Sequence, residues 1–162
     1  MAHVFISYKR EDKPFVLELK QQLIDADFEV WIDENISPGR KWRDELDAKL
    51  RESFALALVV SPESMTSEYV TYEWIYALGA RVEVMPIYLR SIEKFPYRLE
   101  DFQYVDFRTR YPWGLLFHQL RSVMRQEIPE AVKQAVTALD NPNANERKSA
   151  IESLAQTRHE EA

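Results

Sequence analysis

Apolar positions along the chain follow two rhythms, short near-continuous runs and longer stretches with an apolar residue every three or four places. Five runs read as strands: "HVFISY" (3–8), "FEVWID" (28–33), "FALALVV" (54–60), "VEVMPIYL" (82–89) and "YVDF" (104–107). The first intervening stretch places Phe15, Val16, Leu19, Leu23 and Ile24 on one helical face, with Asp12 as its cap and Pro14 in its first turn. The second carries Trp42, Leu46, Leu50 and Phe54. A third helix is expected over 64–79, stopped at Gly79, and a fourth contains Leu115, Leu116, Leu120, Val123 and Met124. The third strand is apolar throughout, as in a strand covered on both faces. Pro86 predicts an interruption or a bulge in the fourth. Strands alternating with helices predict an α/β fold, a five-stranded parallel sheet with helices on both faces.

The domain is expected to close near residue 126. Beyond Ile128 two short helical stretches are expected, lined by Ala131, Ala135, Val136 and Leu139 and then by Ala150, Ile151 and Leu154, with Asp140-Asn-Pro-Asn between them. This segment, 127–162, is expected to be a helical extension. Its small-residue pattern resembles the opening unit of a HEAT-type repeat, as at the start of a following helical or sensor region.

Composition narrows the functional classes. The 162 residues suffice for one substantial domain with a short appendage, and 46% hydrophobic residues argue against disorder. No apolar run reaches the length of a membrane span, and no signal peptide is evident. The absence of cysteine removes disulfides, thiolate catalysis and cysteine-based metal sites, and fits a cytoplasmic protein. The net charge is −6, from 21 basic and 27 acidic residues, with no basic block interleaved with aromatics, so nucleic-acid binding is not expected. His3, His118 and His159 lie far apart and offer no zinc-ligand spacing.

In an open parallel sheet, ligands bind beyond the carboxyl ends of the strands. The loops that matter come after the first strand (8–12), the second (33–42) and the third (61–67). The glycines, Gly39, Gly79 and Gly114, form neither a dinucleotide fingerprint nor a P-loop. One stretch stands out: "SEYVTYEWIYALG" (67–79) sets Glu73 among aromatic residues. On an ordinary solvated helix face such a glutamate would mean nothing.

"VFISYKRED", "FEVWIDE…ISPGRKW" and "ALVVSPESMTSEYVTYEWIYALG", taken in order, resemble a Toll/interleukin-1 receptor (TIR) domain of bacterial type over roughly residues 3–126. The resemblance implies a flavodoxin-like fold. It also implies membership of the subset that cleaves NAD+ between nicotinamide and ribose, a reaction with NAD+ as substrate and neither metal nor cofactor. In that frame Glu73 is the catalytic carboxylate. Tyr69 stands where those members often carry tryptophan, keeping an aromatic surface and adding a hydroxyl. Tyr8 either stacks on a ring of the nucleotide or is a half-buried strand-end tyrosine. Arg10 meets pyrophosphate or stays solvated. Asp33 holds a ribose or shapes its loop. Trp42 borders the pocket or packs in the core, and Ser61 and Ser67 bond substrate or cap turns.

The products implied are nicotinamide with ADP-ribose or a cyclic ADP-ribose, and the setting is bacterial immunity. Family members often act after self-association, which makes the 34–42 loop a candidate TIR–TIR contact. The alternative is a non-enzymatic adaptor using the same fold for TIR–TIR contacts. A phosphoacceptor domain is disfavoured, because the third strand ends in Val60-Ser61 rather than an aspartate.

Overall fold

A computed structural model describes residues 2–33 and 40–126, the side chains of 40–42 excepted. The chain divides into two compact units, Met1–Met124 and Arg125–Ala162. Almost all the described residues belong to the first. The expected extension over 127–162 and the loop tip at 34–39 lie outside the described residues.

In chain order the elements are β1 (His3–Ser7), a 3-10 turn (Arg10–Asp12), α1 (Lys13–Asp25), β2 (Val30–Ile32), α2 (Arg40–Glu52) and β3 (Ser53–Val60). Then come α3 (Pro62–Met65), α4 (Glu68–Gly79), β4 (Glu83–Tyr88), a second 3-10 turn (Tyr97–Leu99), β5 (Val105–Asp106) and α5 (Trp113–Gln126). The sheet has five strands in the order β2-β1-β3-β4-β5, and every pairing is parallel. This is the expected flavodoxin-like doubly wound arrangement.

Period-two alternation divides the core into two layers. Val4 and Ile6 of β1, Ala55, Ala57 and Val59 of β3, and Met85 and Ile87 of β4 face α1 and α5. Their neighbours Phe5, Leu56, Leu58, Val60, Val84 and Tyr88 face α2 and α4. A strand buried on both faces has no polar side to show, which is why β3 reads as an unbroken apolar run.

Several local expectations need correction. Phe54 continues the 42-46-50 spacing, yet it lies in β3 and packs in the α1/α5 layer, because α2 ends at Glu52. Ile24 is exposed on α1, whereas Phe15, Val16, Leu19 and Leu23 are buried. The segment 64–79 is not one helix. Pro62 opens α3 under a Ser61 capping box, and Ser67 caps a separate α4. Pro86 causes no break: it stays in register with Leu58, and β5 joins only at Ile87, so β4 is still an edge on that side at the proline. Asp12 precedes α1 but makes no side-chain cap, since its carboxylate is engaged elsewhere.

α4 does end at Gly79, as expected, but the glycine does not supply the left-handed residue of its cap. The helix ends in a Schellman motif, with Val82 N–H donating to Ala77 C=O (2.8 Å) and Arg81 N–H to Leu78 C=O (3.2 Å). The left-handed residue this requires is Arg81, at φ 61°. The same motif ends α1, where Asp27 takes φ 69°. Aspartate tolerates that region better than arginine does. We therefore expect Arg81→Gly to raise stability by about 0.5–1 kcal/mol, the relief of left-handed strain exceeding the added chain entropy. Urea denaturation would show this as a higher midpoint at unchanged slope, and a lower midpoint would contradict it.

Candidate active site

A cavity of about 630 Å³ opens at the carboxyl ends of β1 and β2, beside the start of α4. The turn after β1 supplies Tyr8, Lys9, Arg10, Glu11 and Lys13; Asp33 comes just after β2; and Ser67, Tyr69 and Glu73 come from α4 and its cap. Six of the residues expected at the site, Tyr8, Arg10, Asp33, Ser67, Tyr69 and Glu73, are thereby brought together.

Glu73 is not a solvated helix residue. It is 1% exposed and shares the buried stripe of α4 with Val70, Trp74 and Ala77. Oε1 accepts a hydrogen bond from Ser7 Oγ at 2.8 Å, while Oε2 is buried with no hydrogen-bond partner among the described residues. Burial pushes its pKa well above the ordinary carboxylate value; the Ser7 bond opposes that shift and the neighbouring Asp33 charge adds to it. Asp33 is also raised, by partial burial and then by Glu45. Its carboxylate accepts from the Tyr69 hydroxyl. Tyr69 stands one turn before Glu73 on the same helix face, so the phenol and both carboxyls meet at one wall.

The other expected site residues separate. Ser67 lines the cavity and also caps α4, accepting from Val70 N–H at 3.3 Å. Ser61 is not among the lining residues. It caps α3 and donates to Asp12 Oδ2 at 2.5 Å, beneath the loops rather than into the cavity. Trp42 falls in the first turn of α2, and its side chain lies outside the described residues. Sequence reasoning missed Ser7, Lys9 and Lys13. The two lysines flank Arg10 and were legible as a cationic turn, whereas Ser7 looks like an ordinary strand end.

Asp12 organises the loops around the cavity. At 3% exposure it accepts from Ser61 and from Arg90 Nη2 at 2.8 Å, and Arg90 Nη2 also reaches Glu63 at 2.5 Å. One carboxylate thus ties the turn after β1 to the loops after β3 and β4. Among the described residues no cluster of histidine, aspartate or glutamate is arranged to hold a metal ion, and no helix is long and apolar enough to cross a membrane.

Residues 4–121 match the family model described as "TIR domain". The TIR domain of the Toll-related receptor TRR-2 from Hydra magnipapillata superposes with a TM-score of 0.66 at 20% identity, over 76% of this chain and 99% of that one. A structure of the RPS4 and RRS1 TIR domain heterodimer gives 0.51 at 16% identity, over 77% and 97%. At such identities the likeness concerns the fold. No curated protein matches the chain.

The site's electrostatics lead to two expected outcomes. Because the folded-state pKa of Glu73 is raised, folded and unfolded chains are both protonated there at acid pH. As pH rises from the ordinary carboxylate range through the folded value, the unfolded chain ionises first and stability is lost. Glu73→Gln is therefore expected to be more stable than wild type at neutral pH, by about 1–3 kcal/mol, with the gap closing toward about pH 4. Urea curves of the pair across pH check this; a constant gap would contradict it. Asp12→Ala leaves the buried Ser61 hydroxyl proton without its acceptor and should cost about 1–3 kcal/mol, with the half-exposed Arg90 pair adding little. An unchanged urea midpoint would exclude that role.

Proposed function

The chain belongs to the TIR domain family, and we propose that within it this domain is an NAD+ glycohydrolase, active on self-association. The observation that carries the reading is Glu73, a carboxyl group buried at the wall of a nucleotide-sized cavity with one oxygen that has no hydrogen-bond partner among the described residues. A buried acid with one oxygen unsatisfied is costly, and such groups concentrate where chemistry is done.

The reaction breaks the bond between ribose C1′ and the nicotinamide nitrogen. The bonding pair leaves with nicotinamide, which departs neutral, and positive charge develops on the ribose as an oxocarbenium ion. Water adds to C1′ and loses a proton, giving ADP-ribose; attack by a nucleophile of the same nucleotide gives a cyclic product instead. Glu73 Oε2 serves as acceptor for a ribose hydroxyl and as the negative charge facing the developing cation. A cationic substrate stabilises the ionised form of the acid, drawing the raised pKa back down on binding. Lys9, Arg10 and Lys13 supply positive charge from the turn after β1, suited to pyrophosphate. Tyr8 gives a stacking surface, and the Tyr69–Asp33 pair offers both a donor and an acceptor to the sugar. In the setting of the resemblance, this is a bacterial immune effector.

The second reading is an adaptor working through TIR–TIR contacts. The RPS4–RRS1 structure is of a TIR heterodimer, and pairing of TIR surfaces supports both a scaffold and an enzyme completed by association. Nicotinamide release from NAD+ separates the two. With protein concentrated or crowded, wild type should release nicotinamide and Glu73→Gln should fall by about 10²-fold or more. Chromatography of the nucleotide product distinguishes ADP-ribose from a cyclic form. Equal release by both proteins would remove Glu73 from its role, and no release under any associating condition would favour the adaptor.

A further inference from the structure

We propose that Ser7 is the positioning residue of this site: its hydroxyl ties one Glu73 oxygen to strand β1 and leaves the other as the single oxygen offered to a ligand. The proposal rests on reading Glu73 as the group that meets the ribose, and it adds a residue that does not itself touch substrate.

Ser7 is the last residue of β1, fully buried, and held in register with Leu58 of β3 in the middle of the sheet. Val4, Phe5 and Ile6 before it are buried apolar residues. A hydroxyl at such a place needs a partner, and Ser7 Oγ donates to Glu73 Oε1 at 2.8 Å. Ser7 is not among the residues lining the cavity, whereas Glu73 is. The serine therefore reaches the ligand only through the carboxyl it holds.

A serine hydroxyl has one proton to give. Donating it to Oε1 makes that oxygen the poorer place for the acid's own proton, which then belongs on Oε2. The same atom, Oε2, is thus a donor when Glu73 is protonated and an acceptor when it is ionised. The bond also removes rotation about the end of a side chain carried by α4, anchoring it to a different element sixty-six residues away in sequence. Precision of that kind decides whether a carboxylate faces the reacting carbon or lies idle beside it.

The charged and titratable groups around the carboxyl come from three elements. Asp33 lies just after β2, Tyr69 precedes Glu73 on α4, and Tyr8, Lys9, Arg10, Glu11 and Lys13 line the cavity from the turn after β1. From α2, Asp47 is engaged by Tyr72 at 2.8 Å, on another face of α4. β3 and β4 present apolar residues to this layer, with Tyr88 the exception at its far strand.

The test uses the whole chain as wild type, Ser7→Ala, Ser7→Thr and Glu73→Gln. Glutamate side chains carrying a ¹³C carboxyl label report the ionisation of Glu73, identified as the resonance lost in E73Q. Nicotinamide release is measured in parallel under associating conditions. In S7A the Glu73 midpoint should move to higher pH, because the lost bond favoured the charged form, and S7T should restore it. Release should show kcat lower by about tenfold or more in S7A with KM within about threefold, since the change is in orientation rather than in ligand contact. An unmoved midpoint in S7A overturns the proposal, as does an undiminished kcat of S7A when the wild type releases nicotinamide. If wild type releases none, the glycohydrolase reading falls, and the titration alone decides whether Ser7 positions the acid.

Discussion

The carboxyl edge of this sheet depends on one buried carboxylate, Asp12. A parallel sheet leaves its strand ends as separate loops, and nothing in backbone pairing holds those loops to one another. Asp12 does so by accepting from Ser61 after β3 and from Arg90 after β4, while its own backbone begins α1. A carboxylate at 3% exposure is tolerable only because two donors face it, one of them charged. The turn carrying Tyr8, Lys9 and Arg10, which walls the cavity, is thereby tied to the loops after β3 and β4.

The two layers of the sheet divide the work. The α1/α5 layer consists of aliphatic and aromatic packing, with Phe15 and Phe107 edge-to-face at 5.7 Å and Phe28 near Phe54. The α2/α4 layer packs as tightly but contains Glu73 in its stripe. Burying Val70, Trp74 and Ala77 stabilises α4 by about 1.5–3 kcal/mol for each large side chain, which offsets the desolvation of the acid beside them. The helix is held to the sheet by its neighbours, and its buried carboxyl stays where solvent would not put it.

How far the sequence reveals this differs between levels. Period-two and period-three-to-four patterns carry the strands and helices, because burial repeats locally. They mislead at junctions: Phe54 keeps the helical spacing of α2 into the strand, and Gly79 stands two residues before the left-handed position that Arg81 occupies. Six residues of the cavity wall were named from the resemblance, on loops that this topology must bring together at the strand ends. The cap at Ser61 was legible, but the buried hydrogen bonds of Ser7, Ser61 and Asp12 were not. Their roles are set by partners 66 and 49 residues distant, and no local pattern records which serine under a loop faces a carboxylate. A polar residue closing a buried strand was the available sign, since a hydroxyl there demands an acid or carbonyl opposite.

The order of charges along the cavity bears on what it can accept under the proposed reading. Glu73 is deep, its pKa raised by burial, whereas Arg10 and Lys13 are exposed and Lys9 is half-buried at the mouth. A ligand with anions at both ends would meet the acid as its only deep partner and gain nothing there. A ligand with a cation at the inner end and phosphates behind it gains at both, and its cation favours the ionised form of the acid. Nicotinamide leaves without charge once its bond to ribose is broken, so the interaction that draws the substrate inward no longer holds the product. Under the proposed reading, the buried, incompletely bonded carboxyl that is a liability to folding discriminates between the two sides of the reaction.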